Sequence, residues 1–383
     1  MPCINLEKIP YLKDYSLHDK EIEYVNSSVG IQDKHPTTKY KFYYVQFSTE
    51  NSFSNFGLDE YVPADIIDRI KNKEVFLMLD NALEYFHRSV NSIYENIIIR
   101  YRIPAEQIIF LSAVPNMLDY VKECSKYYNL PEIKVDWFSL FEQVGKDAYR
   151  SLEKNPVSLK NKKFKKKFLN LNRRWRIHRP LMFLLLKNKN LLNDGYISFG
   201  PADDGKNWNH ALDQLTKMYA GHKKIRKIIA NNSDVVDMNP LYLDTHDLVT
   251  NRAIHEDSVN QFYNETYLSV INETTYHEDV VFFSEKTFKA IAMGHPFILA
   301  TASNSLPYLK ELGYKTFHPM IDESYDTIKD HGDRMLAIVD EVERICNLEE
   351  SKLIEWLDCV EPICKHNQAI LNKKKILTKP MNY

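Results

Sequence analysis

Apolar and polar residues alternate along this chain in short blocks whose period changes repeatedly. In the first half, Phe42-Tyr43-Tyr44-Val45-Gln46-Phe47, Val75-Phe76-Leu77-Met78-Leu79 and Ile108-Ile109-Phe110-Leu111 are compact apolar runs with polar flanks, the pattern of buried strands. Ile133-Lys134-Val135-Asp136-Trp137 reads as a fourth strand. Between them, Asn81 to Ile99 and Asn116 to Tyr128 place apolar residues at helical spacing. A second series follows. Phe168-Leu169-Asn170-Leu171 predicts a strand, and Pro180 to Leu192 a helix with proline in its first turn, where the missing N–H costs nothing. Tyr196 to Phe199, Tyr267 to Ile271 and Pro296 to Ala300 predict further strands, and Glu349 to Leu371 a helix kinked at Pro362.

Strands alternating with helices over short connections predict parallel sheets covered by helices. The polar, lysine-rich stretch Glu153 to Lys167 reads as a linker between the two series. The expected fold is therefore α/β, with two Rossmann-like domains facing each other across a cleft. Its expected parts are a first domain at 1–155, a second domain at 156–348, and a helical segment at 349–383 packing back on the first.

Composition changes this picture little. The chain has 383 residues, enough for two cores, and a formal net charge of −2 with 44% hydrophobic residues. That charge is unevenly spread, because ten of the twenty residues from Lys160 to Arg179 are Lys or Arg and none is acidic. Glycine is scarce while Lys, Asn, Ile and Tyr are abundant, a bias found in AT-rich genomes such as those of many phages. The cysteines Cys3, Cys124, Cys346, Cys359 and Cys364 contain no Cys-x-x-Cys pair, which fits free thiols in a reducing compartment. The charged N-terminus does not read as a signal peptide, and the apolar run Leu181 to Leu186 is too short to span a bilayer. The expected location is cytoplasmic, that of the host if the chain is phage-encoded.

Three segments carry candidate chemistry. In Phe168-Leu-Asn-Leu-Asn-Arg-Arg-Trp-Arg-Ile-His-Arg-Pro180, the residues Arg173, Arg174, Arg176 and Arg179 lie between a strand end and a helix start. Cations there oppose the helix dipole unless an anion sits among them, held by guanidinium forks and free backbone N–H groups. The same residues also read as a solvated basic loop. In Tyr267 to Thr274 a strand runs into Glu273 and Thr274, at the carboxyl edge where α/β sheets gather ligands; a lone Glu there is equally a structural residue. In Phe283 to Ala300, Ser284 reads as an N-cap, and Gly294 and Pro296 end the helix. Glu285 and Lys286 then occupy the first turn, where a carboxylate can accept ribose hydroxyls and an ammonium can meet a phosphate. Spacing alone reads the same pair as an ordinary surface Glu-Lys.

The third segment resembles the donor-binding signature of the fucosyltransferase-like inverting glycosyltransferases and their bacterial and viral relatives. In them a Ser/Thr-Glu-Lys opens a helix and a Gly-x-Pro precedes the next strand. Leu306 to Phe317, Ile321 to Asp326 and the upstream Asn172 to Arg179 are similar to that group in the same order. The resemblance spans roughly Phe168 to Arg334 and implies a GT-B-type glycosyltransferase. It implies that Glu285 binds the donor ribose, that Lys286 and Arg179 or a neighbouring arginine bind the diphosphate, and that Ser284, Glu273 and Thr274 frame the donor. The donor would be a UDP- or GDP-linked sugar, a co-substrate with no separate cofactor.

An inverting transfer also needs a carboxylate base, expected at a strand end of the first domain, where Glu84 stands first and Asp80 second. Helix-capping and surface roles are the alternatives for both. The chain lacks an Asp-x-Asp and a His-Glu-x-x-His, so no metal site is expected and protein cations would serve the diphosphate. For the acceptor, Lys162, Lys163, Lys165 and Lys166 suggest contact with double-stranded DNA bearing hydroxymethylated cytosine. A solvated linker explains the same lysines, and a glycan or lipid-linked saccharide is the alternative acceptor. A nucleic-acid-binding protein without catalysis is the remaining class, and it leaves the Glu-Lys helix unexplained.

Overall fold

The computed structural model describes residues 42–46, 57–81, 89–137, 141–142, 145, 159, 162–172, 175–199, 207–238, 243 and 260–373. They belong to two compact units, residues 1–140 with 375–383 and residues 141–374. Each is built on a four-stranded, wholly parallel sheet, so the α/β class legible in the strand and helix alternation is the one observed.

The first unit runs β1 (Phe42–Gln46), α1 (Ala64–Lys71), β2 (Phe76–Asn81), α2 (Ser89–Ile93), β3 (Ile108–Ser112), α3 (Met117–Tyr128) and β4 (Lys134–Trp137). Helix α2 continues directly into a turn of π-helix, Tyr94–Ile99. The strands lie in the order β1-β2-β3-β4, each beside its predecessor. Strand β3 is buried along its whole length, and Ile67, Ile70, Val90, Ile93, Tyr94, Ile97 and Val121 are buried with it. Strands covered on both faces lose the polar alternation of an exposed sheet, which is why these segments read as plain apolar runs.

The second unit runs β5 (Phe168–Asn170), α4 (His178–Asn188), β6 (Gly195–Ile197), α5 (Trp208–Met218), α6 (Lys223–Asn231), α7 (Asn260–Asn264), β7 (Leu268–Asn272), α8 (Glu285–Ala292), β8 (Phe297–Ala300), α9 (Leu306–Glu311), α10 (His331–Cys346) and α11 (Glu350–Lys373). Its strand order is β6-β5-β7-β8. Helix α4 is buried on all sides from His178 to Leu186, because α6 and α10 pack against it. Pro180 is its third residue, inside the first turn as its chemistry demands. Gly195 is fixed by close approach, since a Cβ there would lie 2.4 Å from the Phe168 ring.

One expectation is modified. The described part of the supposed linker is tied down: the Lys165 and Lys166 amides donate to Glu265 O, the Lys167 amide donates to Asp194 O, and Leu159 is buried. Phe164 packs edge-on against Tyr267, with ring centroids 5.3 Å apart, which anchors the run despite its lysines. Helix α11 passes through Pro362 without interruption and packs on α8 within the second unit.

Candidate functional site

The two sheets differ in one respect that decides where a ligand can sit. In open α/β sheets the crevice forms at the carboxyl ends of two adjacent strands whose following connections leave in opposite directions. The described strands of the first unit progress in one direction and offer no such reversal. In the second unit, β5 leads to β6 on one side while β7 leads to β8 on the other, so the reversal lies between β5 and β7.

The strands separate there. Backbone pairing of β5 with β7 ends at Leu169–Ser269, and side-chain amides continue where the ladder stops. Asn170 Nδ2 donates to Val270 O at 2.7 Å, Asn172 Nδ2 to Asn170 Oδ1 at 2.6 Å, and Asn272 Nδ2 to Asn172 Oδ1 at 2.9 Å. All three asparagines are buried, and Asn272 Oδ1 at the end of the series has no partner among the described residues. The sequence pattern places Asn170 inside a strand and Asn172 and Asn272 just beyond strand ends, with no link between them; the polar residue at every second position of Leu169-Asn170-Leu171-Asn172 was the available signal.

Around this crevice stand the first turns of α4 and α8. Arg179 is buried in α4 and donates from Nη2 to Asn272 O at 3.3 Å. His178 is also buried, and its Nε2 lies 2.9 Å from Glu273 O, so that nitrogen carries the proton and donates. Burial holds the His178 imidazolium far below its usual pKa, with Arg179 and His277 adding repulsion. The ring stacks on Tyr276 at 5.1 Å, and the buried Arg334 guanidinium lies over that tyrosine's ring at 4.5 Å. Arg334 also donates to Tyr276 O at 2.6 Å and to Ile328 O at 2.7 Å, binding the loop after β7 to the chain before α10.

Helix α8 begins as its sequence predicted. Ser284 is the N-cap, and its hydroxyl accepts from the Lys286 amide at 3.3 Å. Gly294, with φ of 62°, closes the helix: its amide donates to Ile291 O and the His295 amide to Ala290 O. Glu273, fully buried, reaches this helix start. Its Oε1 accepts from the Ser284 amide at 3.0 Å and from Thr287 Oγ1 at 2.5 Å, while Oε2 is buried without a partner. Glu285 and Lys286 form an ion pair at 2.8 Å, and Lys286 Nζ also reaches Ser284 Oγ at 3.2 Å. Burial would raise the Glu285 pKa; Lys286, the residue's own amide and Arg179 outweigh it and hold the carboxyl below its usual range. The two helix starts converge on the end of β7: His178 and Arg179 of α4 donate to Glu273 O and Asn272 O, and the Glu273 carboxylate accepts from the Ser284 amide at the start of α8.

The sequence candidates divide accordingly. Arg179, Glu273, Ser284, Glu285 and Lys286 gather at the crevice, Thr274 follows Glu273 half-buried, and Arg176 lies half-buried just before α4. Arg173, Arg174 and Glu84 lie outside the described residues. Asp80 is fully buried near the end of β2, paired in register with Gln46 and Leu111. Of the lysines, Lys162 Nζ turns to Tyr263 O at 3.1 Å, and burial lowers its pKa to about 8. Lys165 pairs with Glu265 and Lys166 with Asn193 O, both at 2.5 Å, and Lys163 is exposed.

His222, Asp330 and Asp333 lie close enough to share a metal ion, but each has other duties. His222 Nδ1 accepts from the Ile225 amide, so Nε2 carries the proton and donates to Asp333 at 3.1 Å. Asp330 Oδ1 caps α10 by accepting from the Asp333 amide at 2.8 Å. The three residues are explained as a cap and a strap between α6 and α10.

No protein-family model matches the chain, and no curated protein matches it. Among solved structures it is similar to a UDP-forming α,α-trehalose-phosphate synthase from Burkholderia xenovorans, with 10% identity and a TM-score of 0.39 over 82% of this chain and 74% of that one. It is also similar to the N-terminal domain of trehalose-6-phosphate phosphatase from Candida albicans, with 10% identity and a TM-score of 0.35 over 83% and 76%. At these values neither protein's activity transfers to this chain. No helix among the described residues is long and apolar enough to cross a membrane.

Proposed function

We propose that the chain is a glycosyltransferase that moves a sugar from a UDP- or GDP-linked donor to a hydroxyl acceptor with inversion. The observation that carries this reading is the convergence of Arg179 and the Glu285–Lys286 pair on the end of β7, through Asn272 O and the Glu273 carboxylate, beside the strand-order reversal of the second unit. A buried guanidinium, an ammonium and the positive end of the α8 dipole suit a diphosphate. Glu285, held ionised beside them, suits the paired hydroxyls of a ribose. The likeness of Ser284-Glu285-Lys286 and Gly294-His295-Pro296 to the fucosyltransferase-like signature supports the same assignment.

In the transfer, the acceptor oxygen bonds to the anomeric carbon from the side opposite the diphosphate. The bond from that carbon to the phosphate oxygen breaks, and its electron pair leaves on the diphosphate. Lys286 and Arg179 stabilise that growing charge, a role in which preorganised cations are most effective. The acceptor proton passes to a carboxylate, for which Glu84 and the buried Asp80 are the candidates. Protein cations stand where other enzymes place a metal on the diphosphate. For the acceptor, hydroxymethylated duplex DNA and a saccharide remain the two arms to assay. Three of the four lysines that suggested DNA are engaged by Tyr263, Glu265 and Asn193, which lessens their availability to phosphates.

Thermal melts with UDP, GDP and ADP, each with and without EDTA, test the donor reading. A ligand at about a hundred times its dissociation constant stabilises a fold by roughly 2.7 kcal/mol. One of the three should raise the melting temperature equally in both buffers. No shift with any, or a shift lost in EDTA, overturns the reading.

A further inference from the structure

Next to the diphosphate residues, on the β6 side, lies an aromatic group that the proposed function leaves unused. Phe199, Trp208 and Phe183 form a buried layer, with Phe199 stacked on Trp208 at 4.6 Å and Phe183 at 5.1 Å from Trp208. Outside this layer lie Trp175 and His210, both half-buried, their rings 5.9 Å apart and Trp175 6.3 Å from Phe199. Two polar atoms beside them are buried without partners, Arg176 Nε and His210 Nε2. Among the described residues, Arg176 is otherwise committed through Nη1, which donates to Trp175 O at 2.9 Å. Buried polar atoms normally find partners, so two such atoms flanking one half-exposed indole mark a place where a ligand supplies them.

We infer that Trp175, Arg176 and His210 form the subsite for the sugar ring of the donor. The inference rests on the proposed function and on the order of residues along the carboxyl edge of the sheet. Glu285 and Lys286 stand on the β7–β8 crossover, Arg179 bonds the end of β7, Arg176 and Trp175 follow β5, and Phe199 and His210 follow β6. A nucleotide sugar is linear in the same way, as ribose, diphosphate and sugar. With the ribose at Glu285 and the diphosphate at Lys286 and Arg179, the sugar arrives at Trp175. A pyranose has a face of C–H groups that packs on the negative face of an indole. Its hydroxyls supply an acceptor for Arg176 Nε–H and a partner for His210 Nε2, which gives selectivity because either atom left unpaired is costly.

The test compares the dissociation constants of UDP with UDP-glucose and of GDP with GDP-mannose for the full chain and for Trp175→Leu, Trp175→Phe and His210→Ala. For whichever pair the wild type binds, Trp175→Leu and His210→Ala should weaken the sugar nucleotide roughly tenfold. Affinity for the nucleoside diphosphate should hold, which also shows the site to be folded. Trp175→Phe, which keeps an aromatic face, should retain most of the affinity. Equal weakening of both ligands would place the nucleoside on Trp175, and no weakening of either would leave the group structural; each overturns the inference while the donor reading stands. A wild type that binds no nucleoside diphosphate removes the donor reading, and the sugar subsite with it.

Discussion

Removing the Glu273 carboxylate should damage the fold and the donor site together, in a ratio that the geometry fixes. Both of its described bonds end on one oxygen, at 3.0 Å from the Ser284 amide and 2.5 Å from Thr287 Oγ1. Both donors are buried, so no water replaces the lost acceptor. Hydrogen bonds to a charged group contribute about 1.5–3 kcal/mol each, and a negative charge at a helix start adds about 0.3–1 kcal/mol. Releasing the desolvation cost of the carboxylate offsets part of this, so Glu273→Ala should lose about 3–5 kcal/mol. Glu273→Gln keeps an oxygen at the Oε1 position and both bonds at neutral strength. Its amide nitrogen takes the place of Oε2, which has no partner, so the cost should be nearer about 1–2 kcal/mol. Urea unfolding of the two variants measures the difference, and nucleoside diphosphate affinity measured alongside should fall in the same order, because Glu273 seats the turn that carries Glu285 and Lys286. Glu273→Ala within about 0.5 kcal/mol of wild type, the range of an ordinary surface change, would refute the argument. So would a Gln variant as damaged as the Ala variant.

Further outcomes follow from the same geometry. Lys286→Ala should reduce turnover by about 10²-fold or more with the fold intact, since among the described residues Lys286 Nζ bonds Glu285 and Ser284, both within its own turn; a near-normal rate would remove it from the diphosphate site. Stability should fall as the pH drops below 6.5, because burial depresses the pKa of His178 strongly and that of His295 to about 3, with Lys162 adding to the second. The unfolded chain then binds more protons than the folded one, so this stability is fully present above the unfolded value and is lost towards the folded values. Two such groups give a slope of roughly 3 kcal/mol per pH unit below about pH 5.5, and urea midpoints unchanged between pH 7 and pH 5 would contradict it.

Much of the fold was legible because its strands are buried on both faces. Val75 to Leu79 became Phe76–Asn81, Ile108 to Leu111 became Ile108–Ser112, and Pro296 to Ala300 became Phe297–Ala300, each a short apolar run that no exposed element would carry. The lysine-rich stretch before β5 was misleading for a physical reason. Its place in the structure is set by backbone bonds to Glu265 O and Asp194 O, by the Phe164 ring and by ion pairs of Lys165 with Glu265 and Lys167 with Asp194, contacts with distant residues that local composition does not reveal.

Within the candidate site, legibility followed sequence distance. Ser284, Glu285 and Lys286 lie within one turn, and capping and dipole effects act over that range, so their arrangement could be read directly. Glu273 acts on Ser284 and Thr287, 11 and 14 residues away across a loop, and the spacing of a lone Glu carries no sign of that contact. Asn272 meets Asn172 across 100 residues, and the two come together only because β5 and β7 are neighbours. That adjacency is also what creates the crevice: the strands part at their carboxyl ends, and amide side chains bridge the gap that backbone bonds leave. The residues that make the site possible are thus neutral asparagines and one buried carboxylate, fixed by topology. Arg179 and Lys286, among the cations that drew attention in the sequence, are brought near one another only because that topology sets the starts of α4 and α8 against the end of β7.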